Sequence, residues 1–222
     1  MMMVLFVALF GKLIHVENMS YVDYIIPGVL MQCFGQCSSV TAIMVNRDVT
    51  GGMAKRFSVL PVKTSSVLWG YVAEAFFRNM LTALVVLTVS LLFRFSPKAL
   101  PGDWCVILLL LSGVIFAFSW IAVFVGIKAG SPEGASSFLT LVIVLPYLSS
   151  GFVPVEAMPK ALALFAEHQP MTPVINTVRG ALLGNTWEIR DFAAALLWCA
   201  GFCLVFYGMS VKGLKRKNQM PG

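Results

Sequence analysis

Glu74 and Arg78 stand four residues apart inside an otherwise apolar run, carboxylate first, the order in which a helix pairs them best. An isolated charge inside a bilayer costs roughly 2.5 to 3.5 kcal/mol on insertion scales, so a self-neutralising pair facing protein or a water-filled cavity is expected. Two roles fit such a pair: a part in a transport pathway or its closure, or a structural anchor near the inner interface if the helix begins late, near Phe76. The five cysteines, Cys33, Cys37, Cys105, Cys199 and Cys203, all fall in apolar runs, and the first and last two are spaced to share a helix face. The two histidines, His15 and His168, lie outside those runs, so no metal site is predicted and the cysteines read as small packing residues. No Gly-x-x-x-x-Gly-Lys-[Ser/Thr] phosphate loop occurs, which excludes the usual way of holding ATP. Neither a Ser-His-Asp set nor paired carboxylates gather in one compartment, which argues against an enzyme.

The elements that must position these residues are membrane spans. With 59% hydrophobic and 12% charged residues over 222 positions, the chain has too little polar surface for a soluble fold. A helical span takes about 20 largely apolar residues, and four segments reach that length: Val22 to Val45, Val67 to Phe93, Trp104 to Ile127 and Asp191 to Val211. A fifth, Ser136 to Val153, carries Pro146 near its middle, which a membrane helix tolerates when neighbours satisfy the freed carbonyl. Met1 to Ile14 is apolar but reaches only about 21 Å at about 1.5 Å per residue. It reads as the outer end of a first span whose start is missing, with a short interfacial helix as the alternative.

Lys and Arg in short loops stay on the cytoplasmic side. Arg47, Lys55, Arg56, Lys63, Lys128, Lys212, Lys215, Arg216 and Lys217 all fall on one predicted side, against Asp48 and Glu133. The opposite side is nearly balanced, so the net charge of +6 is cytoplasmic and places the C-terminus inside. The basic balance thus reflects topology rather than nucleic-acid binding.

Two connectors carry more than a turn requires. The first runs from Asn46 through Arg47, Asp48, Gly51, Gly52, Lys55 and Arg56 to Pro61 and Lys63. A helix over Gly52 to Leu60 would align Met53, Phe57 and Leu60 and stop at Pro61. Such a helix can lie on an anionic inner leaflet or insert Phe57 and Leu60 into a groove on a cytoplasmic partner. The second lies between the last two spans and carries Phe152, Pro154, Pro159, Pro170, Pro173 and Arg179. It is too apolar for an open loop and too rich in proline for one long helix. Two short helices, about Lys160 to Glu167 and Val174 to Leu183, would dip into the outer leaflet and return, forming an outer gate or a lid on the bundle.

The run Asp48-Val49-Thr50-Gly51-Gly52-Met53-Ala54-Lys55-Arg56-Phe57-Ser58-Val59-Leu60-Pro61-Val62, with Gly70 and Arg78-Asn79, resembles the coupling loop and following span of type-2 ABC exporter permeases, most closely the daunorubicin-resistance-like drug-export group. The outer motifs Phe152-Val153-Pro154, Met158-Pro159, Gln169 to Pro173 and Arg179 to Gly184 are similar to the same family. The resemblance covers the chain from about Tyr24 onward. It implies an all-α integral membrane protein: a bundle of five full transmembrane helices plus a truncated first one, with a cytoplasmic coupling helix and outer re-entrant helices. Residues 1–222 then form one permease domain, with the family's cytoplasmic N-terminal helix and most of the first span absent.

The resemblance further implies a multi-pass protein of a bacterial-type cytoplasmic membrane that moves a hydrophobic or amphipathic substrate outward. Its partners would be a separate ATP-binding-cassette ATPase, a second permease copy or related permease, and membrane lipids, with no nucleic acid. No cofactor is expected on this chain, ATP and Mg being held by the ATPase. Docking on that ATPase would fall to Arg47, Asp48, Lys55, Arg56, Phe57, Leu60 and Pro61. The alternatives are a membrane scaffold using the same loop and an ion-coupled secondary transporter. The latter calls for buried acids in several spans, where only Glu74 is found. Phe34, Phe76, Phe77, Phe116, Phe118 and Trp120 would suit an amphipathic substrate, and equally suit packing.

Overall fold

A computed structural model of the chain describes residues 20–51, 64–93, 95, 97–153, 159–184 and 186–219. Among them are seven α-helices and no strand: α1 (Tyr21–Thr50), α2 (Thr64–Leu92), α3 (Pro101–Lys128), α4 (Pro132–Val144), α5 (Lys160–His168), α6 (Met171–Leu183) and α7 (Ile189–Gln219), with a 3-10 turn at Leu145–Leu148. Helices α1, α2, α3 and α7 are long and apolar enough to cross a membrane. The apolar end segment before Tyr21 and the connector from Gly52 to Lys63 lie outside the described residues.

Local chemistry explains the boundaries. Asp23 in the first turn of α1 and Arg47 in its last complement the helix dipole, as Asp103 and Lys128 do in α3. Pro101 opens α3 where its missing N–H costs nothing, and Asp103 Oδ2 accepts the Leu100 N–H at 2.9 Å. Ser131 Oγ accepts the Gly134 N–H at 3.1 Å and starts α4. Gly184 closes α6 at φ 65, and a Cβ there would come within 2.6 Å of the Lys98 carbonyl oxygen, so the position takes glycine on both grounds.

The fifth span expected over Ser136 to Val153 takes a different form. Its α-helix starts earlier, at Pro132, and stops at Val144, after which the backbone tightens into the 3-10 turn that contains Pro146. The proline has no N–H to donate one turn back and its ring crowds the preceding carbonyl, so the helix does not continue through it. The described structure therefore holds four long spans and this shorter apolar helix where five full spans were expected.

The chain divides into two compact units. One is formed by residues 1–33, 81–111 and 144–198. Its tightest approach is between α1 and the turn after Leu148: a Cβ on Gly28 would stand 2.5 Å from the Gly151 carbonyl oxygen. Gly28→Ala is expected to cost about 1 to 3 kcal/mol through backbone displacement. It should lower folded yield and the thermal midpoint, whereas Gly102→Ala, whose Cβ meets nothing within 4 Å, should leave both unchanged. Fluorescence-detected size exclusion and a melting curve check the pair.

The other unit is formed by residues 34–80, 112–143 and 199–222. Val45, Leu68, Val72, Trp120, Val123, Ile127 and Leu214 make one buried cluster, and Ala42, Ala122, Val125, Ala135 and Leu139 a second. Gly126 and Ala42 let α1 and α3 cross closely, a Cβ on Gly126 falling 2.6 Å from the Ala42 carbonyl oxygen. Large apolar side chains on the parts of α2 and α7 in this unit stay exposed, among them Trp69, Phe77, Leu204 and Val205. Apolar faces of that extent suit lipid or another protein surface rather than water.

Candidate functional site

Of the residues expected to work on the cytoplasmic side, Arg47 and Asp48 are described, in the last turn of α1. Asn46 is fully buried and donates from Nδ2 to the carbonyls of Gly126 at 3.0 Å and Ala129 at 2.7 Å, satisfying acceptors at the C-terminal end of α3. Two residues on, Asp48 Oδ2 accepts the Tyr71 hydroxyl at 2.6 Å, tying the last turn of α1 to the first third of α2. Arg47 is exposed and lines a cavity of about 340 Å³ with Glu133, Ser136, Ser137 and Thr140. Both helices that enter and leave the connector are thus held, with α3, by side-chain hydrogen bonds. Lys55, Arg56, Phe57, Leu60 and Pro61 lie outside the described residues.

Neither Asn46 nor Tyr71 had been marked as functional from sequence. The only signal was an amide at the end of an apolar run, since a hydrogen bond across 80 residues leaves no spacing to read. Asn46→Leu takes the donor from one buried and one part-buried carbonyl and is expected to cost about 1 to 3 kcal/mol. A thermal shift of the purified protein checks the stability change.

Glu74 and Arg78 form the expected ion pair. The reading that placed them at the start of a late helix is corrected: α2 begins at Thr64, with Leu68 and Val72 buried one and two turns in, and Arg78 is its midpoint. Arg78 also reaches Met44 Sδ on α1 at 3.8 Å. Glu74 is 44% exposed and shares its helix face with Phe77 and Leu81. Of the aromatic residues considered for substrate contact, Phe34, Phe118 and Trp120 are buried core, Phe76 stacks on Phe116 at 5.0 Å between centroids, and Phe77 is exposed.

The outer residues build a second constellation. The two expected short helices are present as α5 and α6. The second starts at Met171 rather than near Val174, because Pro170 and Pro173 sit at positions where a helix needs no N–H donor. Pro159 precedes α5 in the same way. Phe152 is buried, stacks on Tyr147 at 4.7 Å and accepts the Tyr21 hydroxyl at 3.4 Å through its carbonyl. Pro154 lies outside the described residues.

Arg179 joins these parts. Its Nε donates to the Tyr24 carbonyl at 3.2 Å, its Nη2 donates to the Ser150 carbonyl, its Nη1 stands 3.5 Å from Asn176 Oδ1, and its guanidinium carbon lies 3.8 Å above the Tyr24 ring. A planar guanidinium fork meets all of these at once, which lysine cannot. Ser150 Oγ donates to Asn176 Oδ1 at 2.9 Å, and Gln169 Nε2 to the Leu148 carbonyl at 2.8 Å. Carbonyls freed where α4 ends at its 3-10 turn are therefore taken up by side chains, the condition for irregular backbone away from water. Among the described residues no three His, Cys, Asp or Glu side chains gather to hold a metal ion.

Four helices long and apolar enough to cross a membrane, with a proline-bounded segment between the last of them and α4, make up the frame of a multi-pass membrane protein. The model of the ABC-2 type transporter family matches residues 1–183, and the chain belongs to that family. It is 26% identical over 219 residues to the daunorubicin resistance ABC transporter permease protein DrrB1 of Streptomyces coeruleorubidus, covering 97% of this chain and 76% of the relative. It is 28% identical to the probable doxorubicin resistance ABC transporter permease protein DrrC of Mycobacterium tuberculosis, covering 76% of this chain and 60% of that protein. A third relative, ABC transporter G family member 20 of Dictyostelium discoideum, is 25% identical over 91% of this chain, which spans 28% of its length.

Proposed function

We propose that this chain is the membrane subunit of an ATP-driven exporter that moves a hydrophobic or amphipathic compound outward. A separate ATP-binding-cassette ATPase binds ATP and Mg and docks on the connector through Lys55, Arg56, Phe57 and Leu60, with Arg47 and Asp48 at its base and Pro61 ending the docking helix. The chain works with a second copy or a related permease in a bacterial-type cytoplasmic membrane, connector and C-terminus inside. The kinship with permeases named for daunorubicin and doxorubicin resistance supports a drug-like substrate.

The observation that carries this reading is the joining of both ends of the connector to one packed group. A force applied to the docked segment acts on α1 through Asp48 and Asn46, on α2 through Tyr71, and on α3 through the carbonyls Asn46 holds. Closure of two ATPase copies then shifts three spans together and opens the path between two permeases. Glu74, half-exposed on an apolar face at mid-helix, supports the same picture, because a carboxylate avoids lipid and faces a protein surface or a watered cavity. The Pro159, Pro170 and Pro173 segment with Arg179 and Phe152 serves as the outer gate.

Mild-detergent purification of the full-length protein from its native membrane tests the reading. Recovery of a stoichiometric ATPase, with ATP-dependent substrate flux in inverted vesicles, is the expected result. Retention of a second permease copy without any ATPase would sink it in favour of a scaffold or an ion-coupled carrier.

A further inference from the structure

Where the charged first turn of α7 gives way to its apolar run, the unit formed by residues 1–33, 81–111 and 144–198 holds a cavity of about 360 Å³. Gln169, Thr172, Pro173 and Asn176 contribute one wall, and Glu188, Arg190, Asp191, Ala194 and Trp198 the other. Two carboxylates against one guanidinium make its lining net negative. Gln169 is 4% exposed; its Nε2 is committed to the Leu148 carbonyl, which fixes the amide orientation, and its Oε1 has no hydrogen-bond partner among the described residues. A buried acceptor without a donor in the wall of an acidic cavity calls for a ligand that donates.

We propose that this cavity binds the primary ammonium group of an amphiphile. The ammonium has three N–H donors for Gln169 Oε1, Glu188 and Asp191, and the Trp198 indole offers a π-face to the cation. An amphiphile fits better than a small soluble amine because Leu197 and Trp198, exposed on α7 at the end of the cavity, offer apolar surface for a hydrocarbon chain. Two sources share this chemistry: the ethanolamine headgroup of a membrane phospholipid, whose phosphate Arg190 would meet, and an amine-bearing amphiphile without phosphate.

Native mass spectrometry of the full-length protein in maltoside micelles, titrated with dodecylammonium, dodecanol, short-chain phosphatidylethanolamine and short-chain phosphatidylglycerol, tests the assignment. Dodecylammonium is expected to bind about tenfold more tightly than dodecanol. The double variant Glu188→Gln with Asp191→Asn should lose that preference, and Gln169→Leu should weaken it. Weakened phosphatidylethanolamine binding in Arg190→Gln, with dodecylammonium unaffected, assigns the site to the lipid; phosphatidylethanolamine binding no better than phosphatidylglycerol assigns it to an amine without phosphate. Equal binding of dodecylammonium and dodecanol by the unaltered protein overturns the proposal, as does a preference kept by the double variant. The wild-type comparison decides the matter even where a variant folds poorly. Neither nucleotide nor ATPase is present, so this assignment and the transport reading fail separately.

Discussion

Replacing Phe57 and Leu60 together with aspartate should reduce ATP-dependent export to background while the protein still reaches the membrane and elutes as the unaltered chain does. The two side chains are the only large apolar groups that a Gly52 to Leu60 helix would align besides Met53. Truncating one central anchor of an interface costs on the order of 2 kcal/mol, and putting a carboxylate in its place adds desolvation. Two such losses correspond to roughly a thousandfold in affinity for the ATPase. Co-purification with the ATPase and flux into inverted vesicles should fall together. Should both survive, docking lies elsewhere. A drop in binding to anionic liposomes with ATPase retention intact would instead place the segment on the leaflet surface.

The second large effect concerns Glu74 and Arg78. Arg78→Gln leaves a carboxylate at the middle of α2 with its cationic partner gone, at an expected cost of about 2.5 to 3.5 kcal/mol. Folded yield and thermal midpoint should fall, and more so than in Glu74→Gln, since Arg78 has a further contact with Met44 on α1. The exchange Glu74→Arg with Arg78→Glu restores a pair in the less favourable order and should recover most of the stability. Transport separates the roles. If the exchanged protein folds yet exports poorly, the orientation of the pair matters to the pathway; if it exports normally, the pair serves the fold. Single variants with unchanged yield and unchanged flux would remove both roles.

What was legible in the chain and what was not follows from the reach of each signal. Four long helices could be read from apolar length alone; their starts lie one to three residues earlier than expected, while their ends range from one residue short in α2 to eight residues beyond in α7. The break at Pro146 was visible as a residue but not as an outcome, because a bilayer helix either kinks through a proline or ends there according to its neighbours. The alternative of a late start near Phe76 failed for a related reason, while the expected span from Val67 was nearly right. A helix continues through weak formers such as Thr64, Ser65, Ser66 and Gly70 when Leu68 and Val72 are buried on its inner face. The Glu74 and Arg78 pair was readable because its two members are one turn apart. Asn46 with Gly126, Asp48 with Tyr71, and Arg179 with Tyr24 and Ser150 were not, because each joins residues 23 to 155 positions apart.

The meeting of Gly28 with Gly151 has a mechanical meaning. Most helix contacts are made through side chains that can change rotamer, and such a joint has play in it. Here backbone lies against backbone, and a Cβ on Gly151 would itself stand 3.1 Å from the Gly28 Cα. A joint of that kind leaves little play: a shift of α1 at Gly28 would have to carry the Ser149 to Phe152 turn with it or open the contact.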